Sequence, residues 1–128
     1  MVISINEMSE IPIYQQIRNQ IVQGISDGRL LPGEQLPTVR GLAAEIGINS
    51  MTVSKAYNLL KQESYIYTDR RSGAKVRPEF AETKELSAKS RELLEQIVSE
   101  AKVSGMTKED FFAICGKMFE KQEEGKEW

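Results

Sequence analysis

The stretch Thr38–Arg77 reads TVRGLAAEIGINSMTVSKAYNLLKQESYIYTDRRSGAKVR. Thr38 follows Pro37 and suits a helix N-cap. Leu42, Ala43 and Ile46 then share one face, so a short helix is expected over about Val39–Glu45. Gly47 ends it, because glycine takes the left-handed backbone that closes helices. Asn49 or Ser50 caps a second helix to about Gln62, with Val53, Ala56, Tyr57 and Leu60 inward. Helix, short glycine turn, helix is the layout of a helix-turn-helix. After Ser64 the texture changes. Tyr65–Thr68 and Ala74–Arg77 have strand character, and Asp69–Gly73 is a polar turn between them. A hairpin placed directly after the second helix is a wing, and Pro78 closes it.

Upstream, Ile13, Ile17, Ile21 and Ile25 recur every fourth position, with Tyr14 and Val22 alongside. This predicts an amphipathic helix over about Ile11–Asp27, with Pro12 in its first turn and Gly28 just past its end. Leu30–Gly33 form a turn, and the chain from there to Pro37 is expected to be extended. Downstream, Leu86, Leu93, Leu94, Ile97, Val98 and Ala101 predict a helix over about Thr83–Ser104, broken by Gly105. Thr107 and Asp110 make a capping arrangement for a last helix over Lys108–Glu120, rich in Phe111, Phe112, Ile114, Cys115, Met118 and Phe119. The polar end Gln122–Trp128 is expected to fray. The fold class is therefore mostly α with a small β-hairpin wing. A winged helix-turn-helix over 1–78 precedes a two-helix tail over 79–128.

The chain has 128 residues, one cysteine and no histidine. A cysteine-only metal site and an internal disulfide are excluded, and the commonest general base and zinc ligand are absent. No cofactor and no metal are expected. No apolar run is long enough to span a membrane, and Met1–Glu10 has no signal-peptide pattern, so the expected location is the cytoplasm. The net charge of −2 hides an asymmetry. Residues 40–77 carry seven Lys/Arg against three Asp/Glu, whereas 79–128 carry eight against twelve. A positive patch on an acidic chain can still bind phosphate.

A DNA-reading helix needs an exposed polar N-terminal end. Here that end offers Asn49, Ser50, Met51, Thr52, Ser54 and Lys55. Asn suits adenine, Ser and Thr bond more loosely, and Met51 suits a thymine methyl. Arg40, Arg70, Arg71 and Lys75 suit phosphates or the minor groove. Each residue alone has a plainer reading as a cap or a solvated charge. The joint arrangement is much harder to reach by chance. An enzyme is excluded by the missing catalytic motifs: Cys115 lies on an apolar helix face, and Glu92 and Glu95 on a solvated one. The second reading is a winged-helix protein–protein adaptor, separable by salt-dependent DNA binding.

The run Gly28–Ala43 (GRLLPGEQLPTVRGLA) resembles the opening motif of GntR-type regulators, continued by Asn49, Thr52-Val53, Ala56-Tyr57 and Leu60. The likeness covers about residues 11–77. It implies that Arg40, Asn49, Ser50, Met51, Thr52 and Ser54 lie at DNA and that the wing tip enters the minor groove, with Gly73 as the wing glycine. This chain departs from the pattern at Ser64, where the family usually has glycine. The short tail resembles the YtrA subfamily, which implies a helical dimerisation region and a transporter operon as target. Physics agrees on the tail, since two helices of this size cannot bury both apolar faces alone. Leu93, Leu94, Ile97, Val98, Phe111, Phe112, Cys115, Met118 and Phe119 are the expected dimer contacts. The expected function is a homodimeric, sequence-specific repressor on an inverted-repeat operator. No polar cluster points to a small-molecule effector.

Overall fold

The structure, a computed structural model, describes residues 1–120. The end Gln122–Trp128, expected to fray, lies outside the described residues. Its elements are α1 (Ile13–Ser26), α2 (Val39–Ile46), α3 (Ser50–Gln62), β1 (Ile66–Asp69), β2 (Gly73–Val76), α4 (Ala88–Val103) and α5 (Lys108–Glu120). They fall into two compact units, which divide between Phe80 and Ala81.

In the first unit, Ile17 and Ile21 of α1, Leu42 of α2, Val53 and Leu60 of α3, and Ile66 and Val76 of the hairpin are at most 1% exposed. Each such side chain contributes about 1.5–3 kcal/mol by leaving water. The isoleucine stripe tapers, with Ile13 and Ile25 only half-buried at the ends of α1. That helix starts at Ile13 rather than Ile11, and Pro12 is its N-cap rather than part of its first turn. The cause is local. Ile11 precedes a proline and is steered away from helical backbone.

Thr38 Oγ1 caps α2 by accepting the Gly41 N–H at 2.9 Å, and Gly47 closes it at φ 70°. Asn49, rather than Ser50, caps α3: its Oδ1 accepts the Met51 N–H at 2.7 Å. At the other end of α3, the Ser64 N–H donates to Lys61 O at 3.1 Å and the Tyr65 N–H to Leu60 O at 2.9 Å. This is a Schellman closure, and it needs left-handed backbone at Ser64, where φ is 66°. A serine there is strained by about 1–2 kcal/mol, whereas glycine is not. We expect Ser64→Gly to stabilise the protein by about 0.5–1 kcal/mol, because glycine's larger unfolded freedom offsets part of the relief. Thermal melting checks this, with Tm expected to rise by about 2–6 °C. An unchanged or lower Tm would mean that the serine is not strained.

The hairpin pairs Ile66 with Val76, Tyr67 with Lys75, Thr68 with Ala74 and Asp69 with Gly73. Both strands lie one residue nearer the tip than the sequence suggests, because the Tyr65 N–H is committed to closing α3. The extended segment before α2 adds a third, short rung to this sheet. The Gly33 N–H donates to Val76 O, the Val76 N–H to Glu34 O and the Leu36 N–H to Ala74 O, at 2.8–3.0 Å.

The N-terminal arm is held by side chains acting as a strand. Gln20 exchanges hydrogen bonds with the backbone of Ser4, and Gln16 with that of Asn6. Residues four apart on a helix advance about 6 Å, and residues two apart on an extended chain about 6.6 Å. The two amides therefore match the arm's repeat, and Ile3 is buried as a result.

In the second unit, α4 begins at Ala88 rather than Thr83. Lys84 turns the chain at φ 58°, and the Ser87 Oγ accepts the Ser90 N–H at 3.1 Å as the cap. Leu86, expected in the helical stripe, thus precedes the helix. Gly105, at φ 85°, ends α4, and the Met106 N–H donates back to Ala101 O at 3.0 Å. Thr107 and Asp110 then exchange backbone-to-side-chain bonds at 3.0 and 3.1 Å, a capping box built with aspartate. The bond from the Thr107 backbone, helped by its hydroxyl, holds the Asp110 carboxyl below its ordinary range. Neither α4 nor α5 contains a buried residue. No described helix is long and apolar enough to cross a membrane.

Candidate nucleic-acid interface

Val53, Ala56, Tyr57 and Leu60 anchor α3 in the core, which fixes the face it turns outward. Tyr57 does more than fill space. Its hydroxyl donates to Pro37 O at 2.8 Å, tying α3 to the loop that enters α2. Burial first, and Glu45 second, push this phenol above its ordinary range, so it remains a neutral donor. At the far end of α3, Glu63 accepts from Arg18 of α1 at 2.8 Å. The Arg18 guanidinium also lies 5.5 Å from the Tyr65 ring, and Tyr65 packs against Phe80 at 6.3 Å. These contacts hold the helix and the start of the wing to α1.

The outward face carries the residues singled out in the sequence. Ser50 and Met51 are exposed, and Thr52 and Ser54 are half-buried. Asn49 is exposed, but its Oδ1 is used in the cap, which leaves Nδ2 to donate. Lys55 lies with Nζ 4.1 Å from the centre of the Tyr14 ring, a contact that holds the ammonium in one place at the surface. Asn58 is exposed on the same stripe and escapes the sequence reading, although its spacing from Met51, Ser54 and Lys55 is there to find it.

Two basic elements lie in the same unit. Arg40 is exposed in the first turn of α2. At the wing tip, Asp69 Oδ1 accepts the Arg71 N–H at 2.9 Å, and Gly73 takes φ 80°. That turn leaves Arg70 and Arg71 exposed. Lys75 differs: it is half-buried and bends back to Asp69 at 3.8 Å, so part of its charge is answered within the hairpin. The described residues hold no group of side chains arranged to bind a metal ion.

In the second unit, the apolar side chains form exposed faces. Leu93, Leu94, Ile97, Phe112 and Met118 are exposed, and Phe119 is 93% exposed. Val98, Phe111 and Cys115 are half-buried, and Cys115 is a free thiol.

Comparison with known proteins agrees with this architecture. The family model for bacterial regulatory proteins of the gntR family matches residues 13–76. The HTH-type transcriptional repressor YtrA of Bacillus subtilis is 38% identical over 107 residues, covering 81% of this chain and 82% of that protein. The solved structure of YtrA from Sulfolobus acidocaldarius, a GntR-family transcription factor, superposes with a TM-score of 0.57. The two are 34% identical, and the match covers 91% of this chain and 95% of the other. The DNA-binding domain of AraR in complex with an operator superposes with a TM-score of 0.50 at 28% identity, covering 57% of this chain and 90% of that one. The match spans both units of the chain for the YtrA proteins, and about the length of the winged unit for AraR. The chain belongs to the GntR family, in its YtrA subfamily, as a DNA-binding transcription regulator and not an enzyme.

Proposed function

We propose that this regulator is a repressor that binds an inverted-repeat operator as a homodimer in the cytoplasm. The winged unit, 1–78 with Phe80 completing it, reads DNA, and the α4–α5 unit joins two copies. Ser50, Met51, Thr52 and Ser54 meet base edges from the end of α3, with the Nδ2 of Asn49 beside them. Arg40 and Lys55 meet phosphates. Arg70 and Arg71, turned out by Gly73, enter the minor groove, and Lys75 supports them. The repressor role follows the printed role of the Bacillus relative, and a transporter operon is the target that the subfamily suggests.

One observation carries the dimer: two helices with large apolar side chains and no buried residue. Exposed apolar faces of this extent mark an interaction surface. A second copy offers the same face, as two-fold symmetry requires. Leu93, Leu94, Ile97 and Val98 of α4 join Phe111, Phe112, Cys115, Met118 and Phe119 of α5 in that contact.

Arg40→Ala tests the DNA face. Removing one phosphate contact should weaken binding to all duplexes about equally and lower the salt slope by about 1. Fluorescence anisotropy at several salt concentrations measures both. A changed sequence preference with an unchanged slope would remove Arg40 from the phosphate role.

A further inference from the structure

The wing carries two exposed arginines on a hairpin of two four-residue strands. An isolated two-stranded hairpin is marginal in water, so something must hold its tip in one direction. Part of the hold is the third rung supplied by the segment before α2. Gln35 faces Lys75 across an antiparallel bridge, flanked by the bond from the Val76 N–H to Glu34 O and the bond from the Leu36 N–H to Ala74 O. In this register the pair after Leu36 and Ala74 toward the tip would be Thr38 and Ser72, joined by a bond from the Thr38 N–H to Ser72 O. Thr38 cannot supply it. It has left the sheet to cap α2, and its carbonyl and hydroxyl accept from Leu42 and Gly41. Pro37, between them, has no N–H to give.

The missing rung is made by a side chain. Gln35 Nε2 donates to Ser72 O, one residue from Arg71 and two from Arg70. The carbonyls of Val76 and Ala74 on one edge of β2, and of Ser72 in the turn just before it, thus accept from the Gly33 backbone, the Leu36 backbone and the Gln35 amide. Gln35 is itself exposed, so the core does not need it. We propose that Gln35 is a positioning residue for DNA recognition: its amide extends the pairing of the segment before α2 along β2 and fixes the wing tip relative to the entry of α2. The proposal rests on the reading of Arg70 and Arg71 as DNA contacts.

The test uses the full chain and a duplex that it selects from a randomised pool. Gln35→Met keeps the size and neutrality of the side chain and removes the donor. We expect it to weaken binding about fivefold, the worth of one hydrogen bond. In an Arg70→Ala/Arg71→Ala background the same change should alter binding less than about twofold, because the tip then has nothing to position. Thermal melting of the Gln35→Met protein should fall by no more than the few degrees that one hydrogen bond is worth. No loss in the parent, an equal loss in both backgrounds, or a loss that tracks a large fall in Tm would overturn the proposal. The Arg70→Ala/Arg71→Ala protein separates the two ideas. If it binds as tightly as the parent, the wing reading fails and takes this proposal with it. If it binds weakly and the coupling is absent, only the role of Gln35 fails.

Discussion

Cutting the chain after Phe80 should leave a folded winged unit that is monomeric and binds its operator about 10²- to 10⁴-fold more weakly. The fragment should fold because Ile17, Ile21, Leu30, Leu42, Val53, Leu60, Ile66 and Val76 all lie upstream of the cut. Phe80 is kept because its ring packs on Tyr65, and a cut at Pro78 would strip that contact. The affinity loss is large because a dimer places its second reading helix at an effective concentration that a free monomer does not reach. Phe112→Asp gives the same result by a smaller change. It sets a charge into the proposed apolar contact, where an unpaired carboxylate is strongly disfavoured. Sedimentation velocity and operator titration of the three proteins check this. A fragment that sediments as a dimer and binds at full strength would show that the tail does not make the dimer.

Thr52→Val should lower affinity for the selected operator by about 1–3 kcal/mol and leave random duplex unaffected. Valine keeps the branched shape of this half-buried residue and removes only the hydroxyl. A comparable loss should follow at Asn49, with one difference. Asn49→Ala also removes the cap of α3, at a cost of about 1 kcal/mol in stability, so melting must be measured beside binding. Equal losses on operator and random DNA from Thr52→Val would mean that Thr52 does not read bases.

What can be read in the chain follows the range of the forces involved. Thr38, Gly47, Asn49 and the Thr107–Asp110 pair act on backbone within a few residues, and each does in the structure what its type implies. The inward stripe of α3 is equally plain, since periodicity is a local pattern. Ser64 stands out as a departure, and its positive φ gives the physical reason that a glycine would suit that place. Boundaries are less legible where two local rules compete. Pro12 and Ser87 each set a helix start that the apolar stripe overruns. Contacts between distant residues leave no trace. Arg18 meets Glu63 across 45 residues, and Gln35 meets Ser72 across 37. Nothing in either neighbourhood names the partner. The N-terminal arm is hidden for the same reason, because Gln16 and Gln20 look like ordinary polar helix positions until the arm lies beside them.

Two copies joined through α4 and α5 should present two α3 helices to one duplex. Selection of binding sites by the full chain from a randomised duplex pool, followed by sequencing, tests this most directly. The expected result is an inverted repeat whose half-site centres lie about 10 base pairs apart or a near multiple. A single unrepeated motif, or a pool with no enriched sequence, would contradict it.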